Sequence, residues 1–360
     1  MTRFPIHTIM TTDATGAATA VFASPHRVRE AFEQRLAGLV DEDTLGVFIL
    51  ALANASYDDA MFDRLRARLR TAFGRWCARF DDGDPRAVGA AADDADVFTR
   101  LRTLGFEQLV ATRRRQLGPW ELQFNPLRGL RPPRMSNIAV NRLHKPFDPD
   151  GFHFNKPFLR REIFWEGELA GTQLRLLFNK FPFADLHGLL VPQAGASRPQ
   201  YLDAEAHERV WDIAMLLGHT LPDVGFGYNA HGAYASVNHL HVQMFMRVGV
   251  GYPIESMHWR HNGGSEDYPL TVCRFDDRHT AWAALRDLHE REIAYNLVYR
   301  PGRLYLVERA MQGSHAHSGW TTGCAWAELA GTFTTHTLAD FESLSAAQIE
   351  AELASLALRP

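Results

Sequence analysis

The pattern that decides the fold is the run Asn238-His-Leu-His-Val-Gln243, in which hydrogen-bonding and apolar side chains alternate. Successive side chains of a β-strand point to opposite faces of a sheet. We therefore predict a strand on which His239, His241 and Gln243 project together, while the apolar residues between them pack behind. A buried polar group without a partner costs about 1–3 kcal/mol, so a face that carries three of them is expected to contact a ligand.

These three side chains have the chemistry that nucleotidyl transfer needs. A neutral imidazole can attack phosphorus and form a covalent intermediate, provided that an acceptor holds the proton on its other ring nitrogen. The second imidazole and the glutamine amide can then donate to phosphate oxygens as charge builds. A glycine-rich approach, which includes Gly225, Gly227 and Gly232, can bring backbone N–H groups close to the same phosphate.

Two other interpretations of the paired histidines remain open from the residues alone. They can bind a metal as a pair on a strand, or they can be structural histidines with other partners. The metal interpretation has two weaknesses, because residues 242–248 contain no glutamate and because it leaves Gln243 without a role. A motif of this length therefore supports nucleotidyl transfer as one hypothesis among three.

Composition and charge argue against some classes of protein. The chain has 360 residues, is 46% hydrophobic and carries a net charge of −4, so it offers no basic field for nucleic acid. Three of its 38 basic residues are lysines, namely Lys145, Lys156 and Lys180. They are either survivors of a general preference for arginine or compact cations that serve a phosphate site.

Cysteine usage and hydropathy indicate the compartment. Cys77, Cys273 and Cys324 are far apart and odd in number, which argues against a disulfide framework or a zinc–cysteine site. The longest apolar run, residues 45–53, is too short to span a bilayer, and the first residues lack the pattern of a signal peptide. We expect a soluble cytoplasmic protein without a membrane partner.

Local composition divides the chain into three parts. Residues 1–80 are predicted to form a helical N-terminal appendage, because apolar residues recur at helical spacing over 26–80. Residues 81–97 are acidic and contain Pro and Gly, which is typical of a linker. Residues 98–360 alternate short apolar runs with Pro, Gly and Asn, and are predicted to form one strand-rich catalytic domain.

Several elements of the third part can be predicted one by one. A helix is expected over 203–218, with Asp203 as its N-cap. Ser345 and Gln348 form a capping box that opens the last helix. Strands are predicted over 174–178, 188–191, 295–299 and 304–307, the last two as a hairpin.

The segment Phe226–Phe245, which reads FGYNAHGAYASVNHLHVQMF, resembles the active-site stretch of the GDP-hexose phosphorylases. These enzymes act on GDP-L-galactose or GDP-D-glucose. They are part of the histidine-triad superfamily, in the branch of galactose-1-phosphate uridylyltransferase and diadenosine-tetraphosphate phosphorylase. Weaker similarities to the family follow in order within residues 98–345, at 125–130, 152–156, 181–192, 294–297 and 326–333, the last ending near 340–342.

The resemblance implies a fold and a role for each site residue. The fold would be α+β, of the histidine-triad transferase type, with an antiparallel sheet and flanking helices. His241 would be the nucleophile, and His239 would orient the site and donate to phosphate. Gln243 stands where hydrolytic branches carry a third histidine, which favours transfer over hydrolysis. The residues expected to bind substrate or phosphate are Ser236, Asn238, Lys156, His187, Asn179, Gly232 and Arg128, with a core role for His187 left open.

The implied reaction is the cleavage of a GDP-hexose by inorganic phosphate, through a guanylyl-His241 intermediate, to GDP and hexose-1-phosphate. The expected partners are a GDP-sugar and phosphate, with a homodimer left open and no role for nucleic acid. The sequence requires no cofactor or metal site, although Mg²⁺ could accompany the nucleotide. The alternatives are a related transferase that uses a UDP-sugar or a dinucleoside polyphosphate, a nucleotide hydrolase, and a nucleotide-binding protein without turnover.

Overall fold

The computed structural model of the chain describes residues 18–131, 139–249 and 251–358. Its first part is helical, as the apolar spacing over 26–80 predicts. The helices are α1 (Ala18–Val21), α2 (Pro25–Leu39), α3 (Leu45–Ala55), α4 (Asp59–Asp81), α5 (Pro85–Val88) and α6 (Ala92–Leu104).

Helix α3 is the central helix of this part. All of its residues are buried, and it packs against α2, α4 and α6. The longest apolar run of the sequence is therefore a core helix. Among the described residues, no helix combines the length and the apolar character that a membrane crossing requires.

The acidic segment 81–97, interpreted above as a linker, contains α5 and the start of α6. Val97 and Phe98 of α6 belong to the same buried apolar cluster as residues of the sheet that follows. The division of the chain into residues 1–80, 81–97 and 98–360 stays a prediction.

Strands dominate the rest of the chain, with helices between them. The strands are β1 (Arg113–Leu117), β2 (Trp120–Phe124), β3 (Ile163–Leu169), β4 (Thr172–Phe178), β5 (Asp185–Pro192), β6 (Val224–Asn229), β7 (Val242–Met246), β8 (Val272–Phe275), β9 (Ala294–Arg300), β10 (Arg303–Arg309) and β11 (Thr332–Thr335). The helices are α7 (Pro126–Gly129), α8 (Ala204–Gly218), α9 (Arg278–Glu290), α10 (Trp326–Leu329), α11 (Leu338–Ser343) and α12 (Ala346–Ser355).

Two sheets organise these strands. The larger has eight strands in the order β3-β4-β5-β7-β6-β9-β10-β8, and its neighbouring strands are antiparallel throughout. The smaller has the order β1-β2-β11, in which β11 runs parallel to β2. The predicted α+β architecture, an antiparallel sheet with flanking helices, is confirmed.

The individually predicted elements are also confirmed. Asp203 caps α8 through the Ala206 backbone N–H, and β9 and β10 form the predicted hairpin. Ser345 opens α12 with a capping box. In each case the signal lies within a few residues of the element that it sets, which is why sequence alone identifies it.

The strand predicted over 238–243 begins later than expected, because β7 spans Val242–Met246. The backbone N–H of Leu240 donates to the Arg198 carbonyl, and that of His241 donates to Oε1 of Gln200. A side chain and a loop therefore take the place of a neighbouring strand, and both histidines of the motif lie in the segment that enters β7. Leu240 and Val242 are buried in the core, as predicted.

Candidate active site

A cleft of about 180 Å³ lies beside the central strands of the large sheet. One side, which we call the sheet wall, consists of Asn229, His241 and Gln243. A second group of lining residues, which we call the loop wall, consists of Arg128, Arg131 and Asn179. The cleft is also lined by Phe154, Phe183, Tyr234, Ser236, Thr321, Thr322, Gly323, Glu328, Thr334 and His336.

His241 is held as a neutral imidazole with a defined tautomer. Its Nδ1 lies 2.8 Å from the backbone carbonyl oxygen of His239. A carbonyl oxygen only accepts, so Nδ1 carries the proton and Nε2 keeps its lone pair. Burial lowers the pKa of His241 to about 4, so the ring is uncharged at neutral pH. The Phe154 ring packs against the imidazole at 4.9 Å. A neutral, oriented imidazole in a cleft is suited to nucleophilic attack.

Gln243 presents its amide N–H groups to the cleft. Its Oε1 accepts two hydrogen bonds, one from Trp326 Nε1 at 2.9 Å and one from His187 Nε2 at 3.0 Å. Nδ1 of His187 accepts from the Phe183 backbone N–H at 3.2 Å, so Nε2 is the protonated nitrogen of that ring. Because both donors contact the oxygen, the amide nitrogen points away from them. The side chain lines the cleft and can donate there to an anion.

His187 lies behind Gln243 and does not line the cleft. It is fully buried, and burial lowers its pKa to about 3. The structure therefore places it as a partner of the Gln243 amide. Trp326, from the similarity at 326–333, is the second partner of that amide.

His239 is also fully buried and outside the cleft lining. Its Nδ1 accepts from the Phe154 backbone N–H at 3.1 Å, and its ring packs between Phe147 and Phe154. Burial lowers its pKa to about 4. The contact of His239 with the nucleophile is made by its backbone carbonyl.

The remaining predicted binding residues divide into two groups. Ser236, Asn179 and Arg128 line the cleft. The other three shape the surrounding loops: Asn238 accepts from the Gln200 backbone N–H and donates to the carbonyls of Lys145 and Pro146, Lys156 donates to the carbonyls of Pro149 and Asp150, and Gly232 has φ +88° with Met311 where a Cβ would lie.

The cations of the cleft are arginines. Arg128 Nη1 donates to the Phe181 carbonyl at 2.5 Å, and its guanidinium lies 4.7 Å above the Phe183 ring. Burial lowers the pKa of Arg128. None of the three lysines, all of which are described, lines the cleft. Lys180 instead pairs with Asp94 of α6 at 2.6 Å.

The C-terminal part supplies cleft residues that the sequence motifs did not indicate. His336 Nε2 lies 3.1 Å from Thr322 Oγ1. Burial, together with the charges of Arg128 and Arg131, lowers the pKa of His336 to about 4. The sequence signal for this region is the similarity at 326–333, which ends near 340–342, and neither stretch includes His336.

Tyr234 connects the cleft to the last helix. Its hydroxyl hydrogen-bonds to Nε2 of His317, and Nδ1 of that ring lies 2.6 Å from Oε1 of Glu352 in α12. Glu352 is 1% exposed, so this chain of contacts is internal. Tyr234 belongs to the motif segment 226–245, whereas His317 and Glu352 lie far from it in the sequence and belong to no recognised motif.

A metal site was one of the interpretations of the paired histidines. Within the described ranges, no three His, Cys, Asp or Glu side chains come together in a way that could hold a metal ion.

Comparison with known proteins gives a family match. Residues 120–245, which include Arg128, His241 and Gln243, match the model described as GDPGP1-like, N-terminal domain. GDP-D-glucose phosphorylase 1 of Macaca fascicularis is 26% identical over 287 residues, covering 66% of this chain and 70% of that protein. The Homo sapiens protein of the same name is 33% identical over 129 residues, covering 33% of this chain and 32% of that protein.

Solved structures give a more distant likeness. The crystal structure of yeast Ap4A phosphorylase Apa2 in complex with Ap4A is 14% identical, with a TM-score of 0.47, and the match covers 73% of this chain and 96% of that chain. A second crystal structure of yeast Ap4A phosphorylase Apa2 is 15% identical, with a TM-score of 0.46, and the match covers 72% of this chain and 92% of that chain.

Proposed function

We propose that this chain, which belongs to the family of the GDP-D-glucose phosphorylases, cleaves a GDP-hexose with inorganic phosphate to GDP and hexose-1-phosphate. The family match over residues 120–245 and the names of the most similar curated relatives support this activity. The cleft supports it as well, because an uncharged imidazole, amide donors and arginines line one space.

The proposed reaction has two displacements. His241 Nε2 attacks the α-phosphorus of the GDP-hexose, so that a P–N bond forms and the bond to the β-phosphate oxygen breaks. Hexose-1-phosphate leaves with that electron pair. An oxygen of inorganic phosphate then attacks the same phosphorus, the P–N bond breaks, and GDP leaves while His241 becomes neutral again. Two successive displacements at one group give ping-pong kinetics.

The observation that carries this proposal is the hydrogen bond from His241 Nδ1 to the His239 carbonyl. It leaves the lone pair on Nε2 before the attack. After the attack, the ring bears a positive charge, and the same carbonyl stabilises the N–H that carries part of it. The Gln243 amide would donate to a phosphate oxygen as negative charge develops there.

We test this with purified protein and a panel of GDP-, UDP- and ADP-sugars, each with and without phosphate, with products separated by chromatography. GDP and a sugar phosphate should appear only with a GDP-sugar and only when phosphate is present. Without phosphate, mass spectrometry of the intact protein should show one added guanylyl group, located on His241. Turnover that does not depend on phosphate would instead identify a hydrolase.

We also propose that the reaction needs no metal held by the chain and takes place in the cytoplasm. Three free cysteines support the second point, because thiols persist in reducing compartments. Turnover measured after EDTA treatment, with and without added Mg²⁺, tests the first. Loss of activity that Mg²⁺ restores would mean that the nucleotide is used as its magnesium complex.

A further inference from the structure

The end of helix α3 contacts both segments that form the loop wall of the cleft. Asn54 Nδ2 donates to the backbone carbonyl of Asn179 at 2.9 Å. Two residues later, the Ser56 carbonyl accepts from Asn125 Nδ2 at 2.9 Å. Asn54 and Ser56 are 3% and 0% exposed, so water does not compete for these bonds. We call these two hydrogen bonds, one made by Asn54 and one by Ser56, the α3 clamp.

Asn125 connects the clamp to Arg128. Its Oδ1 accepts from the backbone N–H groups of Leu127 and Arg128, at 3.0 and 3.2 Å. These bonds start the single turn of α7 that carries the Arg128 side chain into the cleft. The oxygen of this buried amide therefore caps α7, while its nitrogen donates to Ser56 at the end of α3 and also to Thr112 Oγ1 at 3.1 Å.

A second set of hydrogen bonds links Arg128 to α3 through the segment that contains Asn179. The Phe181 backbone N–H donates to Oδ1 of Asn179 at 3.2 Å. The carbonyl of Phe181 accepts from Arg128 Nη1 at 2.5 Å. The path from α3 through Asn179 and Phe181 to Arg128, and back through Asn125 to α3, is continuous. The backbone and the guanidinium of Arg128 are thus each tied, by different routes, to the same helix end.

We propose that the α3 clamp is a positioning device for Arg128 and Asn179, so that the N-terminal helices are part of the active-site scaffold. The proposal rests on the function proposed above, in which the loop wall binds the phosphates of the nucleotide. A binding group must be held within about 0.5 Å of its productive position by the residues behind it. The α3 clamp would hold Arg128 and Asn179 in this way. Asn54 and Ser56 lie outside residues 120–245, the stretch that the family model matches.

The first test compares two buried asparagines. Asn54→Ala removes donors to the carbonyls of Leu50 and Asn179. Asn262→Ala is the matched control, because Asn262 is equally buried and donates to two carbonyls, those of Ile254 and Ser256, away from the cleft. Both variants should lose stability. Asn54→Ala alone should raise the KM for the GDP-sugar, on the order of tenfold, with kcat changed by less than about threefold.

The second test asks whether Asn125 acts through its hydrogen bond to Ser56, at the end of α3, or through its capping of α7. Asn125→Asp keeps the oxygen that accepts from Leu127 and Arg128 but removes the N–H groups that reach Ser56. If only the cap mattered, this variant would have the wild-type KM, which would contradict the clamp. We expect a KM shift like that of Asn54→Ala. In an Arg128→Ala background, Asn54→Ala should raise KM by a smaller factor than it does in the wild-type chain, because the part of its effect that acts through Arg128 is already lost.

The outcomes distinguish failure of the clamp from failure of the reaction. If the wild-type protein turns over and Asn54→Ala matches Asn262→Ala in KM, the clamp is wrong and the reaction stands. If the wild-type protein does not turn over, the proposed reaction is wrong, and GDP binding by calorimetry still tests the clamp. Asn54→Ala should then weaken GDP binding relative to Asn262→Ala, and equal affinities would overturn the proposal.

Discussion

The two walls of the cleft are built in different ways. The sheet wall comes from one short region, residues 229–243: Gln243 lies in β7, which pairs with β6, and the backbone of His241 just before it is held by the Gln200 side chain. The loop wall comes from separate segments around Arg128 and Asn179, which are held by side-chain hydrogen bonds to α3. We infer that the sheet wall carries the chemical step and the loop wall carries binding. Variants of the first should lower kcat, and variants of the second should raise KM.

The largest effect is expected for His241→Asn, which removes the nucleophile. We expect turnover to fall by at least about a thousandfold, with an unchanged far-UV spectrum and no guanylyl adduct. His289→Asn is the matched control, because the pKa of His289 is likewise lowered by burial to about 4 and its ring contacts Tyr295 outside the cleft. Near-normal turnover in His241→Asn would contradict the covalent mechanism.

Gln243 should give the next largest effect. Gln243→Ala removes the amide donors and should lower kcat by about 10²- to 10³-fold, with a smaller change in KM. Gln243→Glu keeps the oxygen that Trp326 and His187 contact, but it places a second acceptor against the phosphate. Its kcat should be at least as low as that of Gln243→Ala. A Gln243→Glu enzyme with wild-type kcat would show that the amide N–H groups do not contact the substrate.

Arg128→Lys tests the loop wall. A lysine amine cannot hold the Phe181 carbonyl and a phosphate in the planar arrangement that a guanidinium provides. We expect the KM for the GDP-sugar to rise about tenfold while kcat stays within about threefold. If kcat fell as far as in Gln243→Ala and KM did not change, Arg128 would act on the transition state. The proposed division between the two walls would then be wrong.

The smallest effect concerns stability and pH. Burial lowers the pKa of His187 to about 3 and those of His239 and His241 to about 4. Below about pH 6.5 the unfolded chain binds protons that the folded chain excludes, so stability falls as pH falls towards 4. At pH 5.5 each such histidine should lower the free energy of unfolding by about 1 kcal/mol. Thermal unfolding should show a lower Tm at pH 5.5 than at pH 7.5, whereas a flat profile would mean that these rings accept protons in the folded state.

The sequence predicted two residues of each wall, His241 and Gln243 from one motif and Arg128 and Asn179 from the family resemblance, but it did not predict what holds them. His241 and Gln243 are neighbours in a motif, so one short pattern indicates both. The partners of Gln243 could not be found in this way, because His187 and Trp326 lie 56 and 83 residues from it. The role of Asn54 could not be found either, because its contact with Asn179 spans 125 residues.

The strand predicted over 238–243 illustrates the same limit. Alternation of apolar and polar residues over 238–243 predicts a strand, yet β7 begins only at Val242. The Gln200 side chain accepts from the His241 backbone and donates to the carbonyls of His241 and Asn229. The Gln200 side chain therefore makes hydrogen bonds that a neighbouring strand would otherwise make. The alternation over 238–243 cannot reveal this, because Gln200 lies about forty residues away.

The parallel pairing of β2 with β11 has a consequence for biosynthesis. Thr335 pairs with Phe124 across about 210 residues, and at 5–20 residues per second the ribosome needs roughly 10–40 s to make that stretch. During this time one edge of β2, with Trp120 and Leu122, has no strand to pair with, and unpaired apolar edges promote aggregation. Because Thr334 and His336 complete the cleft, a nascent chain would have no active site until this edge is closed.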